Sequence, residues 1–263
     1  MEATQPNPSP PAILMDDVAA GSMQDPDVTV LSHVNWKVCP GDFWVLAGLQ
    51  GSGKSDFLML TAGLMTPLSG RYWLFGEEMP ILEESRLPHR LRLGMVFENG
   101  QLFNHLTVSE NLALPLRYHR DLTRDEATPA VQTMLEAMEL GPWADSTPGA
   151  LGRNWHKRVG LARALMLKPE LLLIDNPLGG LDLRHIFWWL RMVERLSKEH
   201  NFVREEPLTL VVTVADLRPW VDTGRQFAIL KNQQMVMLGE SAQLTAANKD
   251  LIGELLAAES HND

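Results

Sequence analysis

The stretch that decides the fold is Phe43-Trp-Val-Leu-Ala-Gly-Leu-Gln-Gly-Ser-Gly-Lys-Ser55. Its first five residues are apolar and read as a buried strand. Gly48 to Ser55 then fits G-x-x-x-x-G-K-S/T, and a helix-forming run follows, predicted over 54–64. Strand, glycine loop and helix in that order make a phosphate cradle. Gly48, Gly51 and Gly53 let backbone N–H groups approach phosphate oxygens, and the helix N-terminus adds a favourable dipole. Lys54 is placed to reach β and γ phosphates, and the Ser55 hydroxyl to hold Mg²⁺.

A second stretch, Leu171-Leu-Leu-Ile-Asp-Asn-Pro-Leu-Gly-Gly-Leu-Asp182, runs four apolar residues into Asp175. A carboxylate at the C-terminal edge of a sheet stands where ligands collect in open α/β folds, and Asp175 is the natural second Mg²⁺ contact. Further strands are predicted at 28–31, 71–75, 92–97, 209–214, 226–230 and 234–238, and further helices at 106–117, 124–139, 154–167, 184–199 and 248–258. Strands alternating with helices imply a largely parallel sheet with both faces covered. Helical patterns dominate about 100–155, between the two phosphate motifs, and are read as an insert. Residues 1–12, rich in proline, read as a flexible tail.

Composition narrows the function. The 263 residues carry a formal net charge of -10, and no basic cluster suits a polynucleotide, so no nucleic-acid partner is expected. The single Cys39 cannot form an internal disulfide. No apolar run reaches the ~20 residues that cross a bilayer, and the N-terminus lacks signal-peptide blocks, so a cytoplasmic chain is expected.

With these motifs in order, the sequence resembles the ATP-binding subunit of an ABC transporter over roughly residues 13–258. The supporting stretches are Gly48 to Ser55, Gly94 to Asn111, Arg158-Val-Gly-Leu-Ala-Arg-Ala-Leu165, Asp175 to Asp182 and the strand ending at Asp216. The resemblance implies an α/β fold of the P-loop NTPase class: a mainly parallel central sheet, an antiparallel β portion and a helical subdomain. It also implies ATP and Mg²⁺ as cofactors, an integral membrane subunit as partner, and a peripheral place on the cytoplasmic face of the inner membrane.

Several positions depart from the family pattern. Asn176 stands where the resemblance expects a glutamate that polarises water, Ala215 where it expects the switch histidine, and Glu98 where it expects a glutamine. An amide positions water but accepts no proton, and general-base assistance is typically worth about 10²–10⁴-fold. Glu98 is still able to face the metal. The signature Leu-Ser-Gly-Gly-Gln, which closes over nucleotide on the opposite subunit, aligns with Leu151-Gly152-Arg153-Asn154-Trp155. Asp56 replaces a hydroxyl residue and sets negative charge beside a polyanion, which weakens binding. No aromatic stands between Val18 and Val30 to stack on adenine.

These departures together imply a catalytically degenerate ATPase beside an intact partner chain, with a homodimer as the alternative. An active ATPase using Glu98, or a soluble nucleotide-sensing scaffold, remain open readings. Asp182 matches the loop that signals between the two sites of a dimer. Phe103 and His105 match the region that docks a membrane subunit. The wording of 101–119 and 229–244 is similar to ATPases of MCE or Mla-type phospholipid transport, which implies lipid transport and an MCE protein as partner.

Overall fold

The computed structural model describes residues 10–25, 27–79, 83–199, 203–241 and 243–244. Sixteen helices and strands place the site: β1 (Ile13–Gly21), β2 (Thr29–Val38), β3 (Phe43–Ala47), α1 (Lys54–Thr61), β4 (Ser69–Leu74), β5 (Glu77–Met79), α2 (Leu87–Arg90) and β6 (Leu93–Val96), then α3 (Val108–His119), α4 (Arg124–Ala137), α5 (Arg153–Leu165), β7 (Leu171–Asp175), α6 (Leu183–Lys198), β8 (Thr209–Val214), β9 (Gln226–Lys231) and β10 (Gln234–Glu240). The predicted helix 248–258 lies outside the described residues.

Six strands form the central sheet in the order β10-β9-β3-β8-β7-β6. All neighbours are parallel except the edge pair β9 and β10. Every residue of β3, β7 and β8 is buried, as strands covered on both faces must be. The two-residue period of a strand divides each of them between two cores. From β3, Phe43, Val45 and Ala47 pack into the core shared with α3 to α6, whereas Trp44 and Leu46 pack into the core under α1 and a second sheet.

That second sheet is antiparallel, ordered β2-β1-β4-β5. It meets the central sheet through Trp36, which sits edge-on to Trp44 with ring centroids 5.6 Å apart. Tyr72 on β4 is fully buried and donates its hydroxyl to Leu60 O in α1 at 2.7 Å. Burial pushes this phenol far above its ordinary value.

Three elements were not foreseen. No strand is predicted between the tail at 1–12 and residue 28, yet β1 is the interior strand between β2 and β4. Asp16 and Asp17 obscure its alternation, and register shifts between Met15 and Val18 break the period of two. β2 runs to Val38 rather than ending at 31; Ser32 and His33, the latter at φ of +53°, interrupt the pattern before Val34, Trp36 and Val38 resume it. Ala12, assigned to the flexible tail, is buried and accepts a hydrogen bond from Phe75 N at 3.0 Å. The short β5 and α2 were likewise absent from the reading.

Candidate nucleotide site

β3 ends at Ala47 and the chain turns through the glycine loop into α1. Gly51 and Gly53 take φ of +79° and +81°, the left-handed region that glycine enters without strain. A Cβ on Gly53 would lie 2.7 Å from Val30 Cβ, and one on Gly48 would lie 2.3 Å from Ser52 Oγ. Gly53 caps α1 with no side-chain acceptor, so the helix presents its free N–H groups to the loop. Lys54 Nζ donates to Gly48 O at 2.6 Å and Leu49 O at 2.7 Å. Burial lowers its pKa, opposed by the charges of Asp175 and Glu98.

Asp175 closes β7 and is 5% exposed. The parallel register sets it beside Thr213 of β8, whose hydroxyl donates to Asp175 Oδ1 at 2.7 Å. One residue on, Asn176 N donates to Thr213 O at 3.0 Å and to Thr213 Oγ1 at 3.2 Å. Asn176 Nδ2 in turn donates to Glu98 Oε1 at 2.7 Å. Glu98 and Asn176 are 78 residues apart. They line one cavity of about 530 Å³ together with Gly51, Gly53, Lys54, Ser55, Asp56, Asp175 and Ala215. Every residue assigned to the phosphate and metal set except Gly48 faces this cavity, and Gly48 accepts from Lys54 at its base.

The residues fit MgATP. Lys54 and the α1 N-terminus would neutralise phosphate, while Ser55 and Asp175 would hold Mg²⁺, and Glu98 lines the same cavity. When bound, MgATP would bring a phosphoanhydride bond into this cavity. Ala215 has no group to contact it. Asp56 Oδ1 accepts from Met23 N at 2.8 Å, tying the β1–β2 connection to α1.

The signature-like residues occupy the start of α5. Arg153 and Asn154 also line the cavity. Asn154 Nδ2 donates to Asp182 Oδ2 at 3.0 Å, and Asp182 caps α6 by accepting from His185 N. The hydrogen bonds to His185 hold the Asp182 carboxyl below its ordinary range. Trp155 is edge-on to His185, with centroids 5.4 Å apart, and Arg158 stacks over the Trp155 ring at 4.6 Å. Bulky side chains thus occupy the first turn of α5 where the resemblance expects two glycines and a glutamine. Leu151 is buried and Gly152 caps α5.

Phe103 and His105 border a separate cavity of about 580 Å³ with Met95, Leu114, Pro115 and Tyr118. Phe103 is 47% exposed and Tyr118 74%. Fully buried Asn111 holds the loop from beneath, accepting from Phe103 N and donating to Phe103 O, Leu106 O and Thr107 O. On α6, Trp188 and Trp189 are core residues, and Phe187 beside them is exposed.

Two contributors escaped the sequence reading. Thr213 is a hydroxyl in the apolar run Thr-Leu-Val-Val-Thr-Val, and Lys157 stands in the buried stripe of α5 with Leu161 and Leu165. A polar group on a buried face was the available signal in both. Among the described residues no helix is long and apolar enough to cross a membrane.

Comparison with known proteins agrees with this geometry. A family model described as ABC transporter matches residues 31–179. A probable sulfate/thiosulfate import ATP-binding protein CysA from Chlorella vulgaris is 32% identical over 241 residues, covering 89% of this chain and 93% of the relative. The spermidine/putrescine import ATP-binding protein PotA from Thermobifida fusca is 32% identical, covering 92% of this chain but 60% of its own length. Among solved structures, the dimeric ATP-binding cassette MJ0796 bound to ADP and Pi aligns with a TM-score of 0.74 at 26% identity, covering 85% of this chain and 96% of that one. CbiO1 from Clostridium perfringens shares the fold, with a TM-score of 0.76 at 19% identity over 95% of this chain and 99% of its own. The chain therefore belongs to the ABC transporter family as an ATP-binding domain, with ATP and Mg²⁺ as its cofactors.

Proposed function

We propose that this chain is the ATP-binding subunit of a membrane transporter in which it binds MgATP, docks a membrane subunit through the Phe103 and His105 groove, and leaves most hydrolysis to a second ATPase chain. The observation that carries this reading is the division within one cavity. Lys54, Ser55 and Asp175 keep the binding set, whereas Asn176 spends its amide on Glu98 and Ala215 offers no partner. The crowded Arg153-Asn154-Trp155 turn supports the same division. A heterodimer, with this chain as the impaired half on the cytoplasmic face of the membrane, keeps such a subunit inside a working transporter.

The relatives named above are import ATPases for small charged solutes, and import of a small solute is the substrate reading they favour. Lipid transport with an MCE protein rests on the wording of 101–119 and 229–244 alone. Mass spectrometry of the intact complex from native membranes, with phosphate release measured on the same material, tests the proposal. A membrane subunit and a second ATPase bearing the glutamate and histidine are expected, and co-purification of an MCE protein would restore the lipid reading. Two copies of this chain with rapid hydrolysis would overturn it.

One observation favours a second reading, an active ATPase. Relative to the family pattern, amide and carboxylate have exchanged places: Glu98 for glutamine and Asn176 for glutamate. Their 2.7 Å hydrogen bond keeps one carboxylate in the pair. Under this reading Glu98 is the base and Asn176 orients it.

A further inference from the structure

α5 carries a lysine where its helical stripe is apolar. Lys157 follows Arg153 by one turn and shares a face with Leu161 and Leu165, and it is only 5% exposed. A buried ammonium must be hydrogen-bonded. Lys157 Nζ donates to Asn176 O at 2.8 Å and to Gly179 O at 2.7 Å, the carbonyls at the two ends of one turn.

That turn is narrowly shaped. Asn176 adopts φ of +40°, in the left-handed region that asparagine enters more readily than other non-glycine residues. Its N–H is held by Thr213, its carbonyl by Lys157, and its amide passes over Gly179, where a Cβ would lie 2.4 Å from Asn176 Nδ2. The direction of the amide therefore depends on both ends of the turn. The charges of Glu98 and Asp175 offset part of the burial cost at Lys157, as they do at Lys54.

We infer that Lys157 is a positioning residue that aims the Asn176 amide at Glu98 and links the first turn of α5 to the turn leading to Asp182. Arg153 and Asn154, one turn before it, line the same cavity, so a movement at the start of α5 reaches the Glu98–Asn176 pair through one side chain. This rests on the reading of the cavity as the nucleotide site, and it concerns the chain's own residues alone.

The test is an NMR spectrum of the full chain labelled with ¹⁵N-asparagine, recorded for wild type, Lys157→Gln and Lys157→Met. The Asn176 side-chain amide is identified by its loss in Asn176→Asp and its displacement in Glu98→Gln. Lys157→Met should move this signal toward its Glu98→Gln position, and Lys157→Gln, which keeps an N–H donor group, should move it less. The buried Asn111 amide should stay in place. An unmoved Asn176 signal in both folded variants would overturn the inference. Asn111 and Asn176 moving together in both would also overturn it, because Lys157 would then be a general packing residue. No nucleotide is needed, so a separate failure of MgATP to stabilise wild type would count against the proposed function alone.

Discussion

Asn176 Nδ2 donates to Glu98 Oε1 at 2.7 Å across the nucleotide cavity. Restoring the expected glutamate by Asn176→Glu alone would remove the amide donor and set a second carboxylate against Glu98, a like-charge pair. The double variant Asn176→Glu/Glu98→Gln rebuilds a carboxylate–amide pair. It should release phosphate from saturating MgATP about 10²-fold faster than Asn176→Glu, the lower end of what a general base contributes. Equal rates would mean that the missing histidine and signature already limit turnover.

Asp56 sets a carboxylate in the first turn of α1 and accepts from Met23 N. Repulsion of a nearby phosphate in water is worth about 1 kcal/mol. Asp56→Asn keeps an acceptor for Met23 and removes the charge, so MgATP should bind about fivefold more tightly by calorimetry. Unchanged affinity would place the phosphates beyond the reach of Asp56.

Lys54 is the cation of the glycine loop, and without phosphate its ammonium is spent on Gly48 O and Leu49 O. Lys54→Ala should leave the melting temperature of the nucleotide-free chain nearly unchanged, because a partly desolvated ammonium and its hydrogen bonds are lost together. Stabilisation by MgATP, about 2.7 kcal/mol at a hundred times Kd, should disappear. Thermal melts with and without MgATP read both effects.

Arg92 pairs with Glu170 through Nε to Oε1 at 2.6 Å and Nη2 to Oε2 at 2.9 Å, joining the start of β6 to the start of β7. The Arg92 hydrogen bonds hold the Glu170 carboxyl below its ordinary 4.5. The unfolded chain therefore takes up this proton at higher pH than the folded one. The pair's contribution is complete above 4.5 and is lost as pH falls through the lowered folded value. Glu170→Gln should flatten this part of the acid limb in urea midpoints measured below pH 4.5 and lower the midpoint above it.

Tyr72 and Leu60 bind α1 to the antiparallel sheet. Tyr72→Phe removes one of two donors to Leu60 O, which still accepts from Gly63 N at 2.9 Å, and should cost about 0.5–1.5 kcal/mol in denaturant unfolding. The nucleotide loop lies at the other end of α1, so MgATP affinity should persist.

Local chemistry made much of this protein legible in advance. β3, β7 and β8 are continuous apolar runs because both their faces are covered, and the glycine loop is written in the positions where only glycine fits. Gly48 to Ser55, Asp175 and the α5 stretch from Arg158 to Leu165 thus point to the ABC fold without coordinates. β1 was hidden because its two aspartates and its bulges break the alternation that marks a strand, and only pairing with β2 and β4 makes it one. The Glu98–Asn176 bond, the Thr213 contact with Asp175 and the reach of Lys157 to Asn176 and Gly179 were decided by tertiary structure. Each joins residues whose separation along the chain carries no periodic signal, and sheet register together with the placement of α5 sets their distances.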